Sequence, residues 1–190
     1  MKKLLTILLM MMSLTCLSAH EKGYEFRGEI YGFAGLTDYL KTSGGISITN
    51  GYRITERLFV GTGFEMSKAV YKYVDVGDSY SYAPQRMIPV FASIKYNMGK
   101  KAASPFVLLD AGWTFNVGKE EEKKAIYGLL INLRVGVDVG MVKGYGLFAA
   151  VGPRFQSVHH RHLTAGKGDW IVDHRSEFLT LVCLHIGVRF

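Results

Sequence analysis

The stretch SVHHRH, residues 157–162, puts His159, His160 and His162 within four positions. Imidazoles this close can ligate a transition metal, and they change charge near neutral pH. A metal site also needs further donors at a defined spacing. Asp169 and Asp173 share the segment and His174 follows, but no Cys, Asp or Glu group stands at a firm ligand spacing. The plainer reading is a basic, solvated hairpin tip whose Arg161, Lys167 and Arg175 meet phosphate groups. No metal and no cofactor are assigned.

Ser157 and His159 raise a second possibility, with Glu177 further on. A nucleophile, a base and a carboxylate that orients the base make a hydrolase when they sit within hydrogen-bond reach. A lone Ser-x-His without a surrounding nucleophile motif is weak evidence. No catalytic residue is assigned, and a lipid hydrolase stays as the alternative.

A third stretch, AVYKYVDVGDSYSYAP, residues 69–84, holds Tyr71, Tyr73, Tyr80 and Tyr82. Tyrosine is a favoured anchor of adaptable protein-binding surfaces. Alternation continues through Val74, so this segment is expected to project as a hairpin whose edge could pair with a partner strand. The plainer alternative is an aromatic belt with an ordinary loop. KEEEKK, residues 119–124, is sign-mixed and reads as a solvated tip. Gly61-Thr62-Gly63 lies inside a strand and precedes no helix, so it relieves crowding and cradles no phosphate.

The elements that must position these groups follow from periodicity. Apolar residues recur at every second position nearly throughout, which is the signature of strands. Eight are expected: residues 22–34, 45–55, from 57 onward, 87–98, 105–117, 126–139, 145–157 and 177–190. In the sixth, Leu129, Ile131, Leu133, Val135, Val137 and Val139 oppose Asn132, Arg134, Gly136 and Asp138.

The character of the two faces decides between architectures. The apolar face is wide and uniform. The polar face is small and sign-mixed, with Glu25, Glu29, Glu65, Asp110 and Asp138 against Arg27, Arg53, Lys95, Arg134, Arg154 and Arg189. Such a pattern suits a narrow charged interior and an apolar exterior against lipid. Connections alternate between short ones, near 55–57, 99–104 and 141–144, and long ones at 35–44, 69–86, 118–125 and 158–176. Short turns at one end and long loops at the other complete the expectation. It is an all-β, eight-stranded antiparallel up-and-down transmembrane β-barrel.

Composition agrees. The 190 residues are 48% hydrophobic with 22 glycines. Lys2 and Lys3, an apolar run over residues 4–12 and small residues to Ala19 read as a secretory leader. Cleavage is expected after Ser18 or Ala19, and residues 20–190 are the barrel domain. Cys16 follows Ser13 and Thr15, a poor lipobox, so no lipid anchor is expected. Cys183 is then the single cysteine and no disulfide forms. The formal charge of +7 loses two with the leader and shows no basic stripe, which argues against nucleic acid as a partner.

The leader, the eight alternating strands and the ending Val188-Arg189-Phe190 resemble the small eight-stranded outer-membrane barrels of Gram-negative bacteria, the OmpA/OmpX-like class. The likeness covers residues 20–190, is architectural, and lacks a peptidoglycan-binding domain. It implies an outer-membrane location and a non-enzymatic barrel that displays loops for adhesion, defence or envelope integrity. The implied partners are outer-membrane lipid and lipopolysaccharide, the barrel-assembly machinery through the strand ending in Phe190, and an extracellular protein. A soluble secreted barrel binding a small apolar ligand is the remaining alternative.

An eight-stranded barrel is narrow enough for side chains to fill. The inward charges are therefore expected to pair into a plug that conducts little. His185 and Arg189 join them, with Glu25 and Glu29 on the first strand as candidate partners.

Overall fold

The computed structural model describes residues 22–36, 43–74, 80–99, 103–117, 125–126, 128–140, 145–165 and 170–190. The leader and its cleavage point fall outside the described residues. Alternating, β-branched and aromatic sequence forms strands here as expected. They are β1 (Gly23–Gly35), β2 (Ser43–Arg53), β3 (Leu58–Val74), β4 (Tyr80–Asn97) and β5 (Ala103–Asn116), followed by β6 (Ala125–Ile126), β7 (Gly128–Gly140), β8 (Gly146–Ala165) and β9 (Trp170–Arg189). No helix occurs among the described residues.

Each strand pairs antiparallel with its neighbours, and β9 returns to β1, so the sheet closes. The two-residue β6 pairs with β8 just beyond the end of β7 and continues the same stave. The result is a closed barrel of eight staves. The registers of β6 and β7 against β8 differ by one residue, from Ile126↔His159 to Leu130↔Gln156.

Closure imposes a stagger. Cross-strand partners run from Glu25 through Gly51, Gly61, Ser93, Asp110, Asn132, Arg154 and Leu181 to Gly35. One circuit ends ten residues along β1 from its start, and that shear tilts every strand against the barrel axis.

Burial follows parity. Ile30, Val60, Ile94, Leu133, Val135, Leu184 and Ile186 face outward and are exposed, while Arg27, Lys95, Asp110, Arg134 and Arg154 are buried inside. A water-soluble barrel would show the opposite arrangement. Outward charge of this scarcity, over a continuous apolar belt, is stable only against an apolar medium.

The interior packs by a large-against-small rule. Phe59 lies over Gly51 and Gly61, where an added Cβ would come within 2.7 Å of its ring carbon. Phe148 covers Gly187 in the same way. Gly61 thus clears space for a lumen aromatic, a sharper role than relief of crowding at a bend.

Short turns and both described ends of the barrel chain share one rim. In the turn at residues 54–57, Thr55 Oγ1 accepts from the Arg57 and Leu58 amides at 3.2 and 2.9 Å. Phe190 packs against Tyr145 and Phe26, with centroids 5.3 and 6.2 Å apart.

At the opposite rim the hairpin expected from alternation through Val74 is present, whereas residues 158–176, expected as a long loop, are mostly strand. Pairing runs from Ala69↔Gln85 to Val74↔Tyr80 and from Val158↔Glu177 to Ala165↔Trp170. Cross-strand pairing of backbone groups stabilises such extensions where polar side chains hide the strand pattern.

Candidate functional site: a charged lumen below two projecting hairpins

The lumen is built from alternate residues of all eight staves. Near the short-turn rim, Arg53 Nε donates to Glu25 Oε2 at 2.9 Å. Lys95 Nζ donates to Asp138 Oδ2 at 2.6 Å, and Arg189 Nε donates to Asp138 Oδ1 at 2.7 Å. Lys95 also lies 4.4 Å from the Phe106 ring centroid. A cation so placed is held by a carboxylate and an aromatic face together.

In the middle, Arg134 donates to both Glu29 and Asp110. His185 Nδ1 lies 3.0 Å from Glu29 Oε2 and 2.9 Å from Arg134 Nη1. The His185 ring stacks on Tyr31 at 4.9 Å. Arg27 donates to Ser93 Oγ at 3.0 Å, stands 3.8 Å from Glu25 and lies 4.4 Å above the Phe59 ring.

Further up, Arg154 Nη1 and the Tyr31 hydroxyl both donate to Glu65 Oε2, at 2.8 and 2.9 Å. Above this layer apolar side chains join buried Ser67, Thr114 and Gln156, whose Nε2 donates to Met87 Sδ at 3.4 Å. Tyr31, Phe33, Met87, Leu179, Leu181 and Cys183 form one buried cluster. Five buried carboxylates thus meet six buried cations and one histidine among the described lumen residues. Near balance matters because an unpaired buried charge is costly.

This network is the one expected from the sequence, with one correction. His185 does pair with Glu29. Arg189 pairs with Asp138 of β7, not with Glu25 or Glu29. The stagger moves the β9 end toward β8 and β7, and Arg53 takes Glu25. Phe59 shares the inner face of Glu65 that alternation assigns, whereas Tyr31, Phe91, Phe106 and Phe148 were not legible as interior residues. The glycines that make room for two of them lie across the ladder, Gly63 and Gly112 opposite Phe91 and Gly136 opposite Phe106, so no single strand signals them.

The residues expected to bind partners lie on the projecting hairpins. Tyr71 is opposite Ala83, Tyr73 opposite Ser81, Tyr80 opposite Val74 and Tyr82 opposite Lys72. No two of the four tyrosines are cross-strand partners. Arg161 is opposite His174, and Arg175 is opposite His160. Lys167 and the side chains of the other six lie outside the described residues. Residues 69–74 and 80–85 pair only with each other among the described residues, so both edges of that hairpin are free of neighbours there.

The Ser-His-Glu combination is not assembled by the register. Ser157 and His159 share one strand face, whereas Glu177 is opposite Val158 and so belongs to the other. Among residues with described side chains, no group of three or more metal-ligating side chains is gathered.

No protein-family profile and no curated protein sequence matches the chain. Among solved structures, the fold is similar to the crystal structure of the outer membrane protein OprG from Pseudomonas aeruginosa. That match has a TM-score of 0.61 and 13% identity, and covers 92% of this chain and 99% of that one. It is also similar to the solution structure of the E. coli Outer Membrane Protein W. Here the TM-score is 0.54 and the identity 12%, covering 91% of this chain and all of that one. At such identities the likeness is one of fold.

Proposed function

We propose that the chain is a non-enzymatic outer-membrane barrel that presents two strand hairpins beyond the loop-side rim. The single observation behind this reading is the inversion of polarity. Apolar side chains face out on all eight staves while paired charges fill the interior. A leader-like start and outer-membrane fold relatives support the same location.

The physiological task in this reading is contact with the outside. The hairpin of β3 and β4 carries Tyr71, Tyr73, Tyr80 and Tyr82, and its edges, which pair with no other strand among the described residues, suit an extracellular protein strand. The hairpin of β8 and β9 carries Arg161 and Arg175, and Lys167 lies between its strands in sequence. Guanidinium groups suit the phosphates of lipopolysaccharide. Adhesion, defence and envelope integrity all draw on such surfaces. The apolar strand ending in Phe190 is the segment offered to the assembly machinery.

Fractionation with surface proteolysis tests the reading. The protein should sediment with the outer membrane and migrate differently on gels before and after boiling. Trypsin added to intact cells should cut beside Lys72 or Lys167 and spare Arg57. Recovery as a soluble protein, or cleavage at Arg57 alone, overturns it.

A further inference from the structure

The outward face of the barrel carries charge at one place. Among the strand residues with described side chains, Lys68 of β3 and Arg86 of β4 are the only charged ones turned outward, and both are exposed. The register makes them direct cross-strand partners. Like charges directly opposite each other destabilise a sheet. No carboxylate stands beside them among the described residues. The other cross-strand neighbour of Lys68 is Gly44, and on the β5 side the Val117 amide donates to the Arg86 carbonyl. The next ladder position of the same parity is Val70↔Pro84, which holds no acid either. We infer that Lys68 and Arg86 hold a phosphomonoester of the lipid anchor of lipopolysaccharide, on the lipid-facing wall of the barrel.

The ladder fixes the depth of the two cations. Ten residues of each strand separate Leu58↔Tyr96, at the short-turn rim, from Lys68↔Arg86. Ten residues of strand run about 34 Å. A tilt of about 35–45° turns that into about 24–28 Å of height, and the apolar band of an outer-membrane barrel is about 25 Å tall. Lys68 and Arg86 therefore stand at headgroup level on the loop side. Below them Phe64, Met66 and Val90, with Trp113 and Phe115 on the adjoining β5, are exposed. Acyl chains pack on that surface while the headgroup meets the cations.

The chemistry selects the headgroup. Side chains directly opposite on one face of a sheet have Cβ atoms about 4.5–5.5 Å apart, so both can reach one phosphate. The guanidinium offers a planar fork to two phosphate oxygens, and the ammonium adds a compact charge. A phosphomonoester carries about −1.5 to −2 near neutral pH, which balances two cations. The diester of a phospholipid carries a single charge and leaves one cation over. The bound anion turns a repulsive pair into a shared contact. This inference rests on the outer-membrane reading, with the loop-side rim facing out, and involves no residue of the β8–β9 hairpin.

The test uses the mature chain refolded into phosphatidylcholine vesicles. These are used alone, or with a minor fraction of bisphosphorylated lipid A, of the same lipid A stripped of phosphate, or of phosphatidylglycerol at equal charge. Gel migration before boiling shows insertion. Bisphosphorylated lipid A alone should raise the urea midpoint of the wild type, because a ligand held by the folded state stabilises it. K68Q/R86Q should lose that shift, with capture weakened by on the order of 10–100-fold. Without lipid A it should be at least as stable as the wild type, since a repulsion has gone. K68R/R86K should keep most of the shift, and R57Q at the other rim should keep all of it. Three results overturn the inference and leave the membrane reading standing: an inserted barrel with no shift, a shift that survives K68Q/R86Q, or an equal shift with phosphatidylglycerol. A chain that inserts into none of the vesicles overturns both.

Discussion

Glu29 and Arg134 stand 105 positions apart in the chain and form an ion pair inside the barrel. Their side chains are 0% and 1% exposed. Neither strand touches the other in the sheet, since β1 neighbours β2 and β9 while β7 neighbours β5 and β8. The contact therefore crosses the lumen. Together with the Arg134–Asp110 pair, it ties three staves across the middle of the barrel.

Removing Arg134 strands two carboxylates at once. Arg134→Met is expected to destabilise the folded barrel by about 3–5 kcal/mol. Urea titration in lipid vesicles, followed by tryptophan fluorescence, measures it. The double variant Arg134→Met with Glu29→Gln should be less unstable than the two single losses added together. Additivity within error would mean that the two groups do not interact.

The lipid face can be probed by one charge. Val135 points outward and is 54% exposed, while its neighbour Arg134 is buried in the lumen. Val135→Arg near the bilayer midplane should cost about 2–4 kcal/mol in vesicles. The same change should be nearly neutral if water bathed this surface. Equilibrium unfolding in vesicles distinguishes the two results.

The glycine and aromatic pairing inside makes a suppressor prediction. Gly61→Val collides with Phe59, and overpacking of this kind costs about 1–3 kcal/mol. Refolding yield, read from the fraction that migrates as folded before boiling, should fall. Adding Phe59→Ala should restore part of it. A Gly61→Val variant that folds as well as the wild type would contradict the packing described here.

Conduction follows from how full the lumen is. Arg27, Lys95, Arg134 and Arg154 fill successive layers of the lumen and are each 1% exposed or less. The wild-type barrel in planar bilayers should give no large, stable single-channel currents. Replacing Arg134 and Arg154 together by alanine should raise the leak, because both side chains cross the interior. Large steady currents from the unaltered barrel would refute a filled plug.

Much of this molecule was legible in the chain by itself. A period of two, held across eight segments, sets which residues share a face. The mixed charge of one face and the uniform apolarity of the other set which face turns inward. That is why Glu29, Asp110, Arg134 and His185 could be assigned to the interior without coordinates. Periodicity is a local property, and each residue reports it directly.

Tertiary structure decided what depends on register. Closure with a ten-residue stagger moved Arg189 from Glu25 and Glu29 to Asp138. It also placed Phe59 over Gly51 and Gly61, three residues whose relation no single strand reveals. The hairpin ends show the same divide. Polar and histidine-rich stretches read as loops because they lack an apolar period, yet the backbone goes on pairing through them. The pairs Ala69↔Gln85 and Val158↔Glu177 are relations across a ladder, and only the pairing of two strands defines them.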